Sequence, residues 1–403
     1  MGRRWRDTPV PEHDELRPCH PFRSHNRNPT IQRSLGRGVA LSELLTTPLH
    51  RTHVSMGARM VPFSGWDMPV QYATILEEVD AVREKVGIFD VSHMGRLFIS
   101  GPGAGAFVSR VFSTDVTKLR RGRAKYGVTC NEEGGIIDDN IVYRLGDERY
   151  LYIPNAGNRD AVSAWLHKWA PTDGSVDIDD AADRLAMIAI QGPAAKSTFS
   201  KIAGAALDKI RPFRIAPVDI GGEPVLVART GYTGEDGYEI MPSSDSVVSV
   251  WNALIEAEAI PCGLASRDLL RLEAAFLLHG NDMDTSINPY EAGLDRFIDP
   301  DRDDYIPGEA LRRIRDEGTS RKLVGFEMVG RGIARHGYDI TDGENKIGEV
   351  SSGSVSFTLD KNIGFGYVPT DFSALGTQLW IQVRRRSVEA VVRPLPFYSR
   401  RAS

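Results

Sequence analysis

The sequence predicts an α+β chain in three parts. Short segments of alternating apolar and polar residues mix with amphipathic helical segments from about Leu44 onward. From Leu323 to the end, a Gly- and Val-rich stretch predicts a small C-terminal β domain. The chain has 403 residues, 41% of them hydrophobic, which is enough for two or three domains.

Individual elements follow from local patterns. Apolar residues at helical spacing predict a helix over 74–86, and RLFISG after it predicts a strand. PVLVARTGYTGEDGYEIMP has the pattern of a β-hairpin with glycines in its turn. The strongest helical pattern is GLASRDLLRLEAAFLLHG, which we expect to end at Gly280. The acidic and basic stretch over 299–322 is interpreted as a charged linker.

Composition excludes several classes of function. The net charge of −5 and pI near 6.0 give no broad basic field, so neither nucleic acid nor an anionic membrane is an expected partner. Three widely separated cysteines, Cys19, Cys130 and Cys262, argue against a disulfide framework or a cysteine-rich zinc site and favour a reducing compartment. No apolar run reaches about 18 residues, so no membrane span is expected.

The N-terminal residues differ in composition from the rest. They are rich in Arg, Pro, His and Asn and poor in aliphatic residues, which predicts a disordered extension over 1–42. The arginines also fit a mitochondrial targeting segment, but Asp7, Glu12, Asp14 and Glu15 do not. We therefore expect a cytoplasmic protein, or a mitochondrial matrix protein if the extension is a targeting segment.

A glycine triplet in FISGPGAGAF follows a predicted strand and precedes a predicted helix. Its spacing is GxGxG, whereas the dinucleotide fingerprint requires GxGxxG. We interpret it as turn chemistry, with nucleotide binding as the weaker alternative. The sequence contains no GxxxxGK[ST], HExxH or GxSxG motif.

Two adjacent aspartates interrupt an apolar strand in EEGGIIDDNIVY. Successive side chains of a strand point to opposite faces, so Asp138 and Asp139 cannot enter the same pocket. Asp139 shares the more apolar face with Ile137, Ile141 and Tyr143. A carboxylate there either accepts structural hydrogen bonds or awaits the donors of a ligand, and the residues alone leave both open.

Two further charged residues lie in unusual places. Glu239 lies between Tyr238 and Ile240 in a predicted strand, where it is either a buried ligand contact or an exposed edge residue. Arg267 falls in the first turn of a predicted helix, where a cation opposes the helix dipole. It has a function there if an anion is bound, and a salt bridge with Asp236 or another surface acid is the alternative.

At these residues the sequence resembles the glycine cleavage system T-protein family, the tetrahydrofolate-dependent aminomethyltransferases. The resemblance covers roughly residues 47–401 and implies the family's three-part α+β folate-binding fold. It implies two interleaved α+β folate-binding domains over 43–315 and the β-rich domain over 320–403. The matching segments, in the family's order, are TPLHRTHVSMGARMVPFSGWDMPVQY, GIFDVSHMG, YGVTCNEEGGIIDD, NAGN, IQGP, RTGYTGEDGYEI, GLASRDLLRLEA, HGNDMD, DKNIGFGYVP and PFYSRR.

The resemblance also implies a set of site residues. The second aspartate of the family's DD pair is catalytic, which falls on Asp139, in agreement with the facing argument. The pterin-binding glutamate corresponds to Glu239 and the folate-contacting arginine to Arg267. The resemblance implies no metal site. The other implied folate-binding residues are Tyr126, Asn155, Tyr232 and, after the PF pair, Arg400.

The implied reaction uses an aminomethyl group carried on the lipoyl arm of the H-protein. Its transfer to tetrahydrofolate releases ammonia and forms 5,10-methylenetetrahydrofolate. The resemblance places Asp139 near folate N10, where it would orient the folate and stabilise positive charge on the reacting nitrogens. One carboxylate, Glu239, is suited to accept both the ring N–H and the exocyclic amine of a reduced pterin.

The sequence departs from the family's pattern at Pro154 and at Asp295 and Arg296, where a small residue and an aromatic are expected. Both departures are either neutral changes or changes that reshape the entrance for the lipoyl arm. The latter would mean another one-carbon donor, so a tetrahydrofolate-dependent O- or S-demethylase is the alternative function. The iron–sulfur assembly branch uses a cysteine-bearing motif where this chain has GLASRDLLRLE, so we do not expect the chain to belong to that branch. A dinucleotide-binding oxidoreductase has still less support from the sequence.

Overall fold

Residues 44–400 are described by this computed structural model, and the predicted extension over 1–42 lies outside them. The helices are α1 (His50–Ser55), α2 (Ile75–Glu84), α3 (Ala104–Val111), α4 (Arg159–Trp169), α5 (Ala195–Ala203), α6 (Val247–Glu256), α7 (Leu264–Glu273) and α8 (Gly308–Glu317). The strands are β1 (Arg59–Phe63), β2 (Trp66–Gln71), β3 (Gly87–Asp90), β4 (Leu97–Ser100), β5 (Ala124–Cys130), β6 (Ile136–Arg144), β7 (Arg149–Ile153), β8 (Asp177–Asp180), β9 (Ile188–Gln191), β10 (Ile215–Ile220), β11 (Glu223–Ala228), β12 (Gly237–Met241), β13 (Ile260–Pro261), β14 (Arg321–Met328), β15 (Asp339–Thr341), β16 (Lys346–Ser356), β17 (Lys361–Pro369), β18 (Gln378–Val383) and β19 (Arg386–Arg393).

Two large sheets and a two-stranded sheet of β1 and β2 form the part of the fold that precedes the C-terminal strands. The first large sheet has the strand order β10-β11-β12-β9-β3-β13 and the second the order β5-β6-β7-β4-β8. Along the chain, β3 belongs to the first large sheet, β4 to β8 belong to the second, and β9 returns to the first. The second large sheet is therefore one continuous stretch inserted between two strands of the first. We retain the division into 43–315 and 320–403 as a proposal.

The helix expected over 74–86 is confirmed as α2. Thr74 and Glu77 form a capping box, in which the Thr74 hydroxyl accepts from the Glu77 amide and the Glu77 carboxylate accepts from the Thr74 amide. Val79 and Val82 on its apolar face are fully buried. They pack into a core that also contains Tyr143 of β6 and Leu270 of α7, so one cluster holds both sheets and α7 together.

The strongest predicted helix is shorter than expected. The prediction that it ends at Gly280 is wrong, because α7 ends at Glu273. Ala275 has a φ of +59°, and the amides of Ala275 and Phe276 donate to the carbonyls of Leu272 and Arg271. This is the Schellman arrangement, here with alanine at the left-handed position that glycine usually occupies. Phe276 consequently leaves the buried helical face and is 39% exposed.

The stretch over 299–322 is also more than the charged linker we predicted. It contains α8 (Gly308–Glu317), whose Leu311 is fully buried. Arg302 donates to the backbone carbonyls of Ser109 and Phe112 at the end of α3. The Arg302 guanidinium therefore fixes this segment to α3 through backbone carbonyl groups.

The glycine triplet at the start of α3 is explained by close packing. Gly101 has a φ of +113°, and a Cβ there would lie 2.4 Å from the carbonyl oxygen of Ser175. A Cβ at Gly103 would lie 2.8 Å from the Ser175 hydroxyl. Close packing against Ser175 therefore excludes larger residues at both positions. No bound phosphate is needed to explain these two glycines.

The C-terminal strands form a closed barrel with the order β14-β17-β16-β15-β18-β19. Three side-chain hydrogen bonds attach it to α7. Arg271 Nη2 donates to Ser352 Oγ (2.8 Å), Ser356 Oγ donates to Glu273 Oε1 (2.6 Å), and Thr358 Oγ1 donates to Glu273 Oε2 (2.9 Å). The predicted α+β class with a small β domain at the C-terminus is confirmed. Within residues 44–400, no helix combines the length and apolar character needed to cross a membrane.

Candidate active site

A cavity of about 1430 Å³ is lined by residues of both sheets, of α7 and of the segment after β19. Such a volume exceeds what one drug-sized ligand usually occupies. Arg400 is not among the lining residues. The other six residues predicted from the sequence all line the cavity, namely Asp139, Glu239, Arg267, Tyr126, Asn155 and Tyr232.

The Asp139 side chain reaches the cavity from the centre of β6. Tyr126 of β5 donates to its Oδ2 (3.0 Å), and the Asn155 side-chain amide donates to its Oδ1 (2.8 Å). Both carboxylate oxygens are thus held by neighbouring groups. Burial, followed by the nearby charge of Asp138, raises the pKa of Asp139 to about 7. The carboxyl group is therefore oriented, and small changes in its surroundings can change its protonation.

Asp138 points to the opposite face of β6, as strand alternation predicted, and does not line the cavity. It is fully buried. Its oxygens accept from the side-chain amides of Asn140 (2.7 Å), Asn155 (2.9 Å) and Asn158 (2.6 Å), and from the Asn155 backbone amide (2.9 Å). Asp138 therefore fixes the loop that carries Asn155, and thereby also positions Asp139.

Glu239 faces the cavity from β12, an interior strand between β11 and β9, which removes the alternative of an exposed edge. Its Oε2 accepts hydrogen bonds from Thr230 Oγ1 (2.5 Å) and the Tyr143 hydroxyl (3.3 Å). Its Oε1 accepts none from residues 44–400. Burial raises the pKa of Glu239, and the positive charge of Arg267 opposes that shift.

Arg267 lies in the first turn of α7, and its guanidinium is 4.8 Å from the centre of the Tyr232 ring. The alternative of a salt bridge with Asp236 or another surface acid is wrong, because Arg267 forms no ion pair within residues 44–400 and Asp236 pairs with Arg229 (2.5 Å). Arg267 Nη1 is buried without a hydrogen-bond partner in the described part of the chain. Burial lowers the pKa of Arg267, and the charge of Glu239 counteracts this.

The anion at the N-terminus of α7 is a protein side chain, Glu78 of α2. Its Oε2 accepts from the Gly263 amide (2.8 Å) and from Ser266 Oγ (2.7 Å). Its Oε1 accepts from the Tyr72 amide (2.6 Å). This buried carboxylate occupies the position that we expected a ligand to take, and it fixes the turn that carries Arg267.

Aromatic rings form two walls of the cavity. Tyr232 stacks on Phe276, with ring centres 5.7 Å apart, and the Tyr232 hydroxyl donates to the Leu277 carbonyl. Tyr126 meets Phe297 edge to face at 4.8 Å. Sequence reasoning missed Phe276 because we placed it in the buried stripe of a longer helix. It also missed Phe297, for which a single sequence offers no periodic signal.

Arg400 lies near Asp236, with Nη1 3.7 Å from Oδ1, and is exposed. Its predicted contact with folate stays a prediction. Tyr398, two residues earlier, does line the cavity. Its hydroxyl donates to Glu235 (2.6 Å), and Arg83 lies 3.9 Å from its ring centre. The PFYSRR segment therefore reaches the cavity through a residue that we had not singled out.

The geometry is that of an organic ligand site. Across residues 44–400, no group of three or more His, Cys, Asp or Glu side chains is arranged to hold a metal ion. The cavity instead offers one hydrogen-bonded carboxylate, one half-satisfied carboxylate and one unpaired guanidinium, with aromatic walls. These groups suit a flat, polar heterocycle with several N–H donors.

Comparison with known families agrees with this geometry. Residues 49–302 match the GCVT N-terminal domain, and residues 321–399 match the glycine cleavage T-protein C-terminal barrel domain. The chain belongs to the glycine cleavage T-protein family. The predicted family is thus confirmed over both parts of the described chain.

Individual relatives of this T-protein family member cover almost the whole chain. The aminomethyltransferase of Thermosynechococcus vestitus is 46% identical over 363 residues, which are 90% of this chain and 98% of the relative. That of Bacillus subtilis is 39% identical over 363 residues, or 89% and 100% of the two chains. The crystal structure of aminomethyltransferase T from Bartonella henselae superposes with a TM-score of 0.84 at 32% identity, covering 88% of this chain and 98% of that one.

Proposed function

We propose that the protein transfers an aminomethyl group from the lipoyl arm of an H-protein to tetrahydrofolate. The products are ammonia, the dihydrolipoyl H-protein and 5,10-methylenetetrahydrofolate. The observation that carries this proposal is the convergence of Asp139 from β6, Glu239 from β12 and Arg267 from α7 on one cavity. These residues are distant in sequence and come from three elements, and their charges suit one ligand with both donor and acceptor groups.

The residues fit a reduced pterin. Glu239 Oε1 is an acceptor without a protein donor, and the pterin edge offers a ring N–H beside an exocyclic amine. Arg267 Nη1 is a donor without a protein acceptor. Leaving such groups unpaired in a buried site costs on the order of 1–3 kcal/mol each, so a ligand that pairs with both is favoured. The Tyr232 and Tyr126 rings provide flat apolar surfaces beside them.

Tetrahydrofolate, when bound, supplies the two nitrogens that accept the one-carbon unit. One hydrogen from each nitrogen ends on a leaving group, so the amine departs as ammonia and the sulfur as a thiol. Asp139, which we place beside these nitrogens, stabilises positive charge through a carboxylate held in place by Tyr126 and Asn155. Because these partners orient it before the reaction, little reorganisation is needed in the transition state.

The size of the cavity is consistent with two reactants. A volume of about 1430 Å³ exceeds that of a typical single-ligand pocket. We assign the remainder to the aminomethyl-lipoyl arm, which enters from a docked H-protein. The cytoplasm, or the mitochondrial matrix if residues 1–42 act in targeting, is the compartment in which we place the reaction.

The test offers purified protein tetrahydrofolate together with aminomethylated H-protein and, separately, with methoxy and methylthio compounds. We expect ammonia and 5,10-methylenetetrahydrofolate from the first donor alone. The matched control is Asp139→Asn, which should bind folate but form product far more slowly. A methylated folate formed from a methoxy or methylthio donor, with no reaction of the aminomethyl donor, would show that the protein is a demethylase.

A further inference from the structure

His93 lies in the segment after β3 and lines the cavity, yet nothing above assigns it a role. Its side chain is 5% exposed. Nδ1 is buried without a partner, and neither ring nitrogen has a hydrogen-bond partner in residues 44–400. Nδ1 is unusual, since buried polar groups are almost always hydrogen-bonded. Nε2 is not fully buried, so it is the nitrogen that a ligand in the cavity can reach.

His53 provides the contrast, because it is a buried histidine with a structural role. Its Nε2 contacts Asp90 (2.9 Å) and its Nδ1 contacts the Tyr72 hydroxyl (2.7 Å), so both nitrogens have protein partners. His53 does not line the cavity. The protein therefore satisfies its structural histidine completely and leaves the cavity histidine without partners.

The charge state of His93 follows from its neighbours. Burial is the main cause that lowers its pKa, and the positive charges of Arg267 and Arg96 act in the same direction. Asp90 opposes them, and the resulting pKa is about 4. At neutral pH the ring is therefore uncharged, with one nitrogen that donates and one that accepts.

His93 lies on an apolar part of the cavity wall. Its ring meets Phe63 edge to face at 5.7 Å, at the end of β1. Nearby, the turn between β1 and β2 meets the loop that carries Asn155, where a Cβ at Gly157 would lie 3.4 Å from Ser64 Oγ. Val61, Phe63 and Met94 also line this part of the cavity. Its apolar wall suits an aliphatic arm.

We propose that His93 accepts a hydrogen bond from the amino group of the aminomethyl donor and thereby selects an amine-bearing one-carbon unit. This inference rests on the proposed function. An amine carries N–H groups from which His93 Nε2 can accept a hydrogen bond. A methoxy or methylthio group carries none, so those donors would cover Nε2 without giving it a partner.

Two substitutions test the inference. His93→Phe keeps a planar ring and removes both nitrogens, and His93→Gln places an amide near the position of Nε2. With His93→Phe we expect kcat/KM for aminomethylated H-protein to fall about 10- to 100-fold. The dissociation constant for tetrahydrofolate should stay within about twofold of wild type, since no folate contact is removed. His93→Gln should recover part of the loss, which a purely structural role would not produce.

The outcomes distinguish this inference from the proposed function. Wild-type protein that forms no product from aminomethylated H-protein overturns the proposed function itself. Active wild-type protein with unchanged donor kinetics in both variants overturns the role of His93 alone. A weaker affinity for folate at unchanged kcat/KM for the donor also overturns it, because His93 would then contact the pterin. If His93→Phe does not fold, the same measurements on His93→Gln decide.

Discussion

The two walls of the cavity differ in how their polar groups are satisfied. On the β6 wall, both oxygens of Asp139 accept hydrogen bonds from protein groups, Tyr126 and Asn155. On the wall formed by β12 and α7, Glu239 Oε1 and Arg267 Nη1 have no partner in the described part of the chain. Because both walls are buried, we attribute the difference in hydrogen-bond partners to the different functions that we propose for the two walls.

This difference teaches which groups are prepared for chemistry and which for binding. A carboxylate that is already fixed by its neighbours can stabilise developing charge without moving, which is what a catalytic group requires. A buried group without a partner gains most when a ligand supplies one, which is what a binding group requires. The predictions below follow from this division.

The largest expected effect is that of Asp139→Asn. We expect turnover to fall by about 10²- to 10⁴-fold, because the amide can neither carry the stabilising charge nor accept a proton. The dissociation constant for tetrahydrofolate should change little. Single-turnover formation of 5,10-methylenetetrahydrofolate and equilibrium folate titration measure the two quantities. A loss of folate affinity equal to the loss of turnover would contradict the division.

Glu239→Gln should produce the opposite pattern. We expect the dissociation constant for tetrahydrofolate to rise about 10- to 100-fold, because the amide cannot accept two donors from the pterin edge. The ligand-free protein should be no less stable than wild type, since burial already raises the pKa of Glu239 and disfavours its charge. Folate titration and thermal unfolding without ligand test this, and marked destabilisation of the ligand-free variant would indicate a structural role.

Asp138→Asn is a structural change one residue from the proposed catalytic group. Asp138 does not line the cavity, but four hydrogen bonds reach its fully buried carboxylate. We therefore expect the free energy of unfolding to fall by about 2–3 kcal/mol, because two of the donors then face an amide N–H₂ group. Denaturant unfolding measures this, and a change below about 0.5 kcal/mol would contradict it.

The pH dependence of turnover should be set by the groups that surround Asp139. Burial and Asp138 raise its pKa to about 7, so the carboxyl is protonated below that pH and ionised above it. Turnover should therefore increase as the pH rises through about 7. Tyr126→Phe removes a hydrogen bond that lowers this pKa and should move the midpoint to higher pH. Rate profiles of both proteins test the assignment, and identical midpoints would count against it.

The smallest expected effect is that of Arg400→Ala. Arg400 does not line the cavity, and its guanidinium lies beside Asp236 at the surface. We expect the dissociation constant for tetrahydrofolate to change by less than about twofold, as for an exposed charge. Tyr398→Ala is the comparison, since Tyr398 does line the cavity. A larger effect of Arg400→Ala than of Tyr398→Ala would restore the contact predicted from the sequence.

Much of the fold and most of the site could be predicted from the sequence for physical reasons. Strand alternation predicted that Asp138 and Asp139 face opposite sides, and the cavity lining agrees. The burial of Glu239 could not be decided, because its strand's place within the sheet depends on pairing with β9, which is distant in sequence. The end of α7 was missed because alanine at position 275 adopts a conformation that its type does not signal.

The buried polar groups that lack a hydrogen-bond partner could not be predicted from the sequence at all. Whether Arg267 or His93 has a hydrogen-bond partner depends on every neighbour that the fold brings near, and a sequence pattern reports none of them. The salt bridge that we considered between Arg267 and Asp236 was plausible along the chain, yet Asp236 pairs with Arg229. The lack of partners is therefore information that only coordinates supply.

The most direct test combines the substitutions of the two walls in one cycle. Folate affinity and single-turnover rate are measured for wild type, Asp139→Asn, Glu239→Gln and the double variant. We predict that Asp139→Asn changes the rate alone, that Glu239→Gln changes the affinity alone, and that the double variant shows both losses in full. If either single substitution lowers rate and affinity by the same factor, the two walls do not divide chemistry from binding.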